Sequence, residues 1–367
     1  MPEPLKNIYS PHFFEQLTAS IKSVIPSFNQ QYFLNQVFDR HWPNKELKQR
    51  VRHIAESLNE HLPGNFKQQA RLVLKIIEQL KKEGKKGGFE YMIFPDWIEA
   101  HGLQDLETSL NTMEKVTEFI SCEFAIRPFL LKYPDEVINR MIALSKHTHP
   151  HVRRFSSEGC RPRLPWGQAI PFLKKDPAPL LPILENLKND PSLFVRKSVA
   201  NHLNDISKDH PDFVIRLVQK WKGESAETDW IIRHGCRGLL KKAHADAYAL
   251  FDLKNGADCR IEHFSLQQKK IAIGGKLMFS FQLVNTGKKE TSLRLEYKVH
   301  YRKAGGQSSG KIFQLSEKKF LPGQAYSFKK QQSFQDFTTR KHYPGKHQIS
   351  LLVNGKEMAN EEFMLTS

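Results

Sequence analysis

An arginine recurs at the same position of three similar segments in the chain. The segments are His151-Val152-Arg153, Phe194-Val195-Arg196 and Ile231-Ile232-Arg233, and their arginines are 43 and 37 residues apart. Upstream of each segment a proline stands where a preceding helix would begin, at Pro134, Pro177 and Pro211. The fixed φ of proline suits the first turn of a helix. The spacing therefore predicts two helices in each unit of about 40 residues.

A unit of two helices and about 40 residues has the period of HEAT and armadillo arrays. Because such a unit cannot bury its apolar face alone, successive units stack into a solenoid with a concave surface. We therefore predict a HEAT-like α-helical solenoid over residues 101–256. Residues 1–100 have a helical pattern without this spacing, and we interpret them as a helical cap. Together they make a predicted helical domain of residues 1–256.

The hydropathy pattern changes near residue 257, from helical periodicity to alternation. Residues 276–283 and 293–301 carry an apolar side chain at every second position. Such alternation indicates a half-buried strand. About seven short strands, separated by turn signals such as Asn354-Gly355, fit a small immunoglobulin-like β-sandwich. We predict this β-sandwich over residues 257–367, so that the fold class is multidomain, α followed by β.

The chain is strongly basic, with 56 Lys and Arg against 39 Asp and Glu and a formal net charge of +17. Residues 260–367 alone hold +11 of this charge. A surface of this sign favours a long anionic partner such as a nucleic acid. No run of about 18 uncharged apolar residues is present, so no membrane span is expected. The four cysteines stand singly, which favours a reducing, cytosolic compartment.

Basic residues recur at the same phase of successive repeats. Stacking of the repeats would align them as a stripe that matches a phosphate backbone. The alternative is a solvated outer face, which is the common fate of a charge run. The candidate phosphate contacts are Arg153, Arg154, Arg161, Arg163, Arg196, Lys197, Arg233 and Arg237.

Acidic residues interrupt this basic pattern at a few positions. Glu123 and Glu158 are expected inside helices with apolar or small neighbours, and Asp205 lies in the second repeat. A buried acid is unfavourable unless it is paired, so the alternative is a core ion pair such as Glu123 with Arg127. Trp166 follows two prolines that end a helix, and its alternative role is a core-capping aromatic.

Other chemistries have little support in the sequence. His147, His149 and His151 stand close together, but Pro150 interrupts them and no acid or cysteine partner has zinc spacing. The chain has no G-x-x-x-x-G-K-[ST], G-x-G-x-x-G, G-x-S-x-G or H-E-x-x-H motif. These absences argue against a P-loop NTPase, a Rossmann dehydrogenase, an α/β-hydrolase and a gluzincin. We expect neither a cofactor nor a metal.

Taken together, several of these segments resemble the AlkC family, bacterial DNA glycosylases of the HEAT-like AlkC/AlkD superfamily. The resemblance covers residues 1 to about 255, and the C-terminal part is similar to the AlkC branch with an immunoglobulin-like module. The Trp/Asp arrangement of AlkD-type members is not reproduced at the same spacing. The segments that carry the resemblance are 122–129 (CEFAIRPF), 151–159 (HVRRFSSEG), 161–166 (RPRLPW), 194–205 (FVRKSVANHLND) and 230–235 (WIIRHG).

This resemblance implies excision of N3-alkylated bases such as 3-methyladenine and 3-methylcytosine, with 1-methyladenine as a further candidate. It also implies that the base is not flipped into a pocket, unlike in most glycosylases. An alkylated base that carries positive charge is already a good leaving group, so carboxylates that stabilise the sugar cation and position water suffice. Glu123, Glu158 and Asp205 would then face the lesion, and Trp166 would stack on the sugar or backbone.

The resemblance further implies a monomer that acts on double-stranded DNA containing alkylated bases in the bacterial cytoplasm, at the nucleoid. A lyase step would need a placed amine, and no lysine stands out, so we predict a monofunctional glycosylase. Loops near Gly305-Gly306-Gln307 or Leu321-Pro322-Gly323 of the β-domain would contact the DNA. The alternative function is a non-catalytic HEAT scaffold that binds nucleic acid, since HEAT arrays often serve as scaffolds.

Overall fold

A computed structural model describes residues 3–253, 258–337 and 340–367. The chain divides into two units, Met1–Gly235 and Cys236–Ser367. The predicted boundary between residues 256 and 257 lies outside the described residues and stays a prediction. Within the described ranges, no helix is both long enough and apolar enough to cross a membrane.

The first unit is helical. Pro134, Pro150 and Pro211 each stand in the first turn of a helix, where proline is favoured. Pro177 instead precedes a 3₁₀ turn, Ala178–Leu180, that leads into the next helix. The α-helices are α1 (Pro11–Val24), α2 (Gln30–Val37), α3 (Leu47–His61), α4 (Phe66–Lys82), α5 (Ile93–His101), α6 (Leu106–Val116), α7 (Ile126–Lys132), α8 (Pro134–Leu144), α9 (Pro150–Gly159), α10 (Pro171–Lys175), α11 (Leu181–Leu187), α12 (Leu193–Ile206), α13 (Pro211–Trp221) and α14 (Ala226–Gly235).

Three helix pairs form the predicted repeats: α8 with α9, α11 with α12, and α13 with α14. The second helices of these pairs lie side by side, because α12 packs against α9 on one side and α14 on the other. Val195, Val199 and Leu203 of α12 are fully buried in this layer. The predicted HEAT-like architecture is confirmed.

The second unit contains two short helices and a β-sandwich. The helices are α15 (Arg237–Lys241) and α16 (Ala245–Leu250). The strands are β1 (Cys259–Leu266), β2 (Lys270–Ala272), β3 (Lys276–Asn285), β4 (Thr291–Arg302), β5 (Ser308–Phe320), β6 (Ala325–Ser333), β7 (Gly345–Val353) and β8 (Lys356–Thr366).

The strands form two sheets, with the orders β1-β3-β6 and β2-β8-β7-β4-β5. Neighbouring strands are antiparallel except β2 and β8, which are parallel. The predicted strands 276–283 and 293–301 lie within β3 and β4, and their alternating apolar side chains enter the core between the sheets. The immunoglobulin-like prediction is therefore confirmed, with eight strands in the described residues where about seven were expected.

The opposite face of β4 departs from simple alternation. Arg294 and Glu296 are only 2% and 1% exposed, and Arg294 Nη2 lies 2.7 Å from Glu296 Oε1. Burial raises the pKa of the Tyr248 hydroxyl of α16 to about 12, and the nearby charge of Glu296 adds to this effect. The Tyr248 hydroxyl therefore lies near the sheet face that Arg294 and Glu296 occupy, and a Cβ atom at Gly355, in the turn between β7 and β8, would lie 2.6 Å from it. The ion pair allows both charges to be buried there.

Gly235 allows α14 to approach α12 closely. A Cβ atom at this position would lie 3.0 Å from Cβ and 3.1 Å from Cδ1 of Leu203. We predict that Gly235→Val lowers the free energy of unfolding of the helical unit by about 1–3 kcal/mol, because the added methyl groups overpack the contact. Denaturant unfolding followed by far-UV circular dichroism measures the change. Lys220→Val, at an exposed position of α13, is the control and should have a much smaller effect. Equal effects of the two substitutions would contradict a close α12–α14 contact.

Candidate functional site

The three predicted acids come together where α9, α12 and the start of α7 meet. Glu158 lies near the end of α9 and Asp205 near the end of α12. Glu123 was expected inside a helix, and this expectation is wrong, because it lies in the turn that precedes α7. Since α9 packs against α12, the carboxylates of Glu158 and Asp205 face the same interface.

Arg154 joins Glu123 to Glu158. Its Nη1 donates to Glu123 Oε2 at 2.5 Å, and its Nη2 lies 3.6 Å from Glu158 Oε1. The Ser121 hydroxyl also donates to Glu123 Oε2, at 2.8 Å. The guanidinium lies over the Phe194 ring, 4.6 Å from its centroid, which is a cation–π distance. Glu123 is therefore held by a guanidinium and a hydroxyl.

Arg161 joins Glu158 to Asp205. Its Nη1 donates to Glu158 Oε1 at 2.6 Å, and its Nε donates to Asp205 Oδ2 at 2.8 Å. Burial alone would lower the pKa of Arg161, but the two carboxylates outweigh burial and raise it. A guanidinium in this position is permanently charged and is committed to two acids.

Lys208 completes an alternating chain of charges, which we call the acid network: Glu123, Arg154, Glu158, Arg161, Asp205 and Lys208. Ser198 donates to Glu158 Oε2 at 2.6 Å, and Lys208 Nζ donates to Asp205 Oδ1 at 2.9 Å. Glu158 and Asp205 are 5% and 2% exposed, whereas 16% of the Glu123 side chain is accessible. Of the three acids, Glu123 is thus the one most open to solvent.

Arg127 does not form the alternative pair with Glu123. It is 1% exposed and donates to the carbonyl oxygens of Gly159 and Arg161, both at 3.0 Å, and of Gln168. Burial lowers its pKa to about 10. Arg127 therefore fixes the backbone that follows α9, including the loop on which Trp166 stands.

Trp166 is presented to solvent at the tip of this loop. Its side chain is 64% exposed, so the alternative of a core-capping aromatic is wrong. Its φ of 65° lies in the left-handed region, which a bulky residue adopts only when the surroundings impose it. Lys48 donates to its carbonyl oxygen. The Phe89 ring packs edge to face against the indole, with 6.4 Å between the ring centroids.

A cavity of about 290 Å³ opens beside Trp166. Asp96 and Glu99 of α5 lie in its wall and share Arg52, at 2.7 Å and 2.9 Å. Burial raises the pKa of both carboxyl groups in spite of this guanidinium. The Phe124 ring, next to Glu123 in the chain, lines the same cavity. Sequence reasoning missed this cavity, because α3 and α5 carry no repeat spacing and no motif that marks it.

Two of the predicted phosphate contacts share a structural role. Arg153 Nη1 donates to the carbonyls five and six residues earlier, those of Thr148 and His147, at 2.7 Å and 3.0 Å. Arg196 does the same five and six residues earlier, at 2.8 Å and 2.9 Å. Arg153 also pairs with Asp190, at 2.6 Å. These two arginines therefore hold the turns between α8 and α9 and between α11 and α12 in place.

The other predicted cations differ in their surroundings. Arg161 was expected on phosphate but lies buried between carboxylates, and Arg154 belongs to the acid network as well. Arg163 is half-buried and pairs with Asp209, with Nη2 at 2.6 Å from Oδ1. Lys197 is exposed on α12. Arg233 and Arg237 are half-buried, Arg233 in α14 and Arg237 at the start of α15 in the second unit.

The histidine run does not assemble a ligand set. Pro150 begins α9, and the His149 side chain accepts a hydrogen bond from the backbone N–H of His151 at 3.3 Å. Across the part of the chain that the structure describes, no group of three or more His, Cys, Asp and Glu side chains has a geometry that could hold a metal ion.

His202 lies directly behind the acid network and is fully buried. Burial, with the charges of Arg161 and Arg127, lowers its pKa to about 3, against about 6.5 in an unfolded chain. Between these values the unfolded state binds the proton, so the stability that neutral His202 contributes is present above about pH 6.5 and lost as the pH falls.

We predict that burial of His202 lowers the free energy of unfolding by about 2 kcal/mol between about pH 6.5 and pH 5. His202→Gln should flatten the pH dependence of denaturant unfolding, and the exposed His12→Gln should leave it unchanged. Identical profiles for the two variants would contradict the prediction.

Comparisons with known proteins found relatives of both parts of the chain. The family model described as "DNA alkylation repair enzyme" matches residues 23–239. The model described as "Uncharacterised protein YhaZ, C-terminal Ig-like domain" matches residues 260–367. A relative from Bacillus subtilis (strain 168), "Uncharacterized protein YhaZ", is 40% identical over 361 residues, which are 98% of this chain and 99% of the relative.

The fold is also that of a solved structure. This is the Pseudomonas fluorescens alkylpurine DNA glycosylase AlkC bound to DNA containing an abasic site analog. It is 34% identical to this chain, covers 100% of both chains and superposes with a TM-score of 0.94. The resemblance to AlkC inferred from the sequence is thereby confirmed. With a family match that spans more than half of its length, the chain belongs to the DNA alkylation repair enzyme family.

Proposed function

We propose that this protein is a monofunctional DNA glycosylase that hydrolyses the N-glycosidic bond of cationic alkylated bases in duplex DNA. The observation that carries the proposal is the acid network, three carboxylates alternating with three cations. The exposed Trp166 lines a cavity together with Phe124, the chain neighbour of Glu123. The similarity to a DNA-bound alkylpurine glycosylase supports the proposal. The substrates would be 3-methyladenine and 3-methylcytosine, with 1-methyladenine as a further candidate, and the enzyme would work in the cytoplasm.

The chemistry follows from the charge of the lesion. Departure of a cationic base leaves positive charge on the deoxyribose, so the site needs to stabilise an oxocarbenium-like sugar and to supply water. It needs no strong general acid and no enclosed base pocket. Because no base pocket is needed, the enzyme would act without flipping the base, in contrast to glycosylases that extrude it.

The surroundings of the three acids favour a different role for Glu123 than for Glu158 and Asp205. Glu158 lies between two guanidinium groups, and Asp205 between Arg161 and Lys208, so nearby cations offset both charges. Glu123 ends the network, faces one guanidinium and is the most exposed. Its charge is the least neutralised, so Glu123 would act on the sugar cation or the water. Glu158 and Asp205 would hold Arg154 and Arg161 in place.

Trp166 and the solvent-facing cations would position the DNA. A tryptophan face attracts a cationic centre and stacks on sugars or bases. Among the predicted phosphate contacts of the helical unit, Lys197 is exposed, and 35% of the Arg163 side chain is accessible although it pairs with Asp209. Arg153 and Arg196 would contribute less, because their guanidinium groups are used by backbone carbonyls.

The alternative is a non-catalytic scaffold that binds nucleic acid. Incubation of the protein with methylated duplex DNA distinguishes the two functions. A glycosylase releases free 3-methyladenine and leaves abasic sites with intact strands, since no lyase step follows. A neutral lesion such as hypoxanthine should not be released, because its bond lacks the positive charge that activates it. Binding without release of any base would support the scaffold.

Glu123→Gln tests the acid that we place nearest the sugar. The substitution keeps the shape and removes the charge, so we predict a single-turnover excision rate for 3-methyladenine that is about 100- to 1000-fold lower. DNA affinity should stay within about threefold, since one acid among many cations changes it little. Glu114→Gln is the matched control, because Glu114 forms a similarly half-buried ion pair, with Arg140 at 2.6 Å. An unchanged excision rate in Glu123→Gln would remove Glu123 from the mechanism.

Trp166→Ala tests the exposed aromatic. Stacking of an aromatic ring on a nucleotide contributes about 1–3 kcal/mol, so kcat/KM should fall about 10- to 100-fold. Stability should change by less than about 0.5 kcal/mol, since the side chain is mainly in solvent. Trp166→Phe keeps a ring and should retain most of the activity. Equal activity of the alanine variant and the parent would exclude a role of the indole in substrate positioning.

A further inference from the structure

The β-domain contains a second cavity, of about 320 Å³, which we call the basic pocket. It lies where the end of β4 meets the start of β5 and the segment 340–343. Its wall carries no carboxylate and five cations, Arg302, Lys303, Lys311, Arg340 and Lys341. The pocket is built entirely within the second unit and shares no residue with the acid network.

The cations of the basic pocket are not neutralised by the protein. Within the described parts of the chain, none of the five forms an ion pair with a carboxylate. Arg340 lies over the Tyr301 ring, 5.9 Å from its centroid. Burial lowers the pKa of Lys311, and the like charges of Arg340 and Lys241 lower it further. The pocket therefore concentrates positive charge that an anion would relieve.

Two buried polar atoms of the pocket residues also lack partners. The Tyr301 hydroxyl and His342 Nε2 are inaccessible to solvent and form no hydrogen bond. The other ring nitrogen of His342, Nδ1, lies 3.0 Å from Asp336 Oδ1, which fixes the ring. Buried polar groups are nearly always hydrogen-bonded. Both residues line the cavity, so a small turn of the Tyr301 side chain toward a polar ligand would give its hydroxyl the missing partner.

We propose that the basic pocket binds a phosphoryl group. A phosphoryl group brings several acceptor oxygens, which suit guanidinium and ammonium donors that converge from three segments of the chain. The Tyr301 hydroxyl, once turned toward the cavity, donates to one of these oxygens. The cavity is larger than one phosphate, so the attached sugar or a second phosphate has room.

The phosphoryl group has two possible sources. One is a phosphodiester of the DNA backbone, and this source rests on the proposed function. The turn 303–307, which includes the predicted DNA-contacting residues Gly305 and Gly306, leaves the rim of the pocket at Lys303. The other source is a small free phosphate compound, represented experimentally by inorganic pyrophosphate, and this source is independent of the glycosylase activity.

The test uses the full chain with two double variants. Arg302→Gln with Lys311→Gln removes two charges from the pocket. Lys329→Gln with Lys330→Gln removes two charges from exposed positions of β6 outside it. Titration calorimetry with pyrophosphate and anisotropy of an undamaged duplex at several salt concentrations are measured for both variants and the parent. Thermal melting checks folding, and Tyr301→Phe provides a milder variant that keeps all five cations.

If the source is DNA, the pocket variant binds the duplex more weakly than the control variant. Its slope of log affinity against log salt is then shallower by about 1, the value for one phosphate contact. If the source is a small compound, pyrophosphate binds the parent and the control variant, and the pocket variant loses at least about tenfold in affinity. Tyr301→Phe should lower the affinity for whichever of the two ligands binds.

The proposal is overturned if the pocket variant matches the control variant in both measurements. Pyrophosphate binding by a parent protein that releases no methylated base would remove the proposed function and leave the pocket standing.

Discussion

The site in the helical unit depends on one buried guanidinium. Arg161 lies between Glu158 and Asp205, which belong to different repeats and are almost fully buried. Without this cation the interface of α9 and α12 would contain two carboxylates short of a partner, an arrangement that is strongly destabilising. A buried ion pair seldom stabilises a fold more than apolar side chains of similar size would. The network is therefore better understood as a means of holding charges in a fixed array than as a source of stability.

Much of the fold could be predicted from the sequence, because its signals are local. The spacing of Arg153, Arg196 and Arg233 gives the helix pairs, and alternation over 276–283 and 293–301 gives two strands of the sandwich. The partners of the acids could not be predicted in the same way. Arg161 and Asp205 are 44 residues apart, and no pattern in a single sequence relates residues so distant. The alternative pairing of Glu123 with Arg127 requires a helix where the chain forms a turn.

The β-domain illustrates the limit of periodicity differently. Alternation in β4 correctly assigns the apolar face to the core, but it implies that Arg294 and Glu296 on the other face are solvated. They are nevertheless buried, and Arg294 also pairs with Glu317 of β5, at 2.7 Å. The basic pocket likewise draws its cations from separate segments, so net charge revealed that the domain is basic but not where that charge is concentrated. Charge density, unlike net charge, is a property of the folded chain.

The hydrogen bonds from Arg153 and Arg196 to backbone carbonyls constrain the length of two turns in the repeats. Arg153 and Arg196 each donate to carbonyl oxygens five and six residues earlier. These hydrogen bonds form only when the turn between the paired helices has its present length. A turn that is one residue longer or shorter would present different carbonyls and leave the buried donors unsatisfied. Insertions and deletions in related chains should therefore be excluded from these two turns and accumulate in other connections. Because Arg153 of α9 also pairs with Asp190 in the turn before α12, at 2.6 Å, one side chain links the starts of the two helices that carry Glu158 and Asp205.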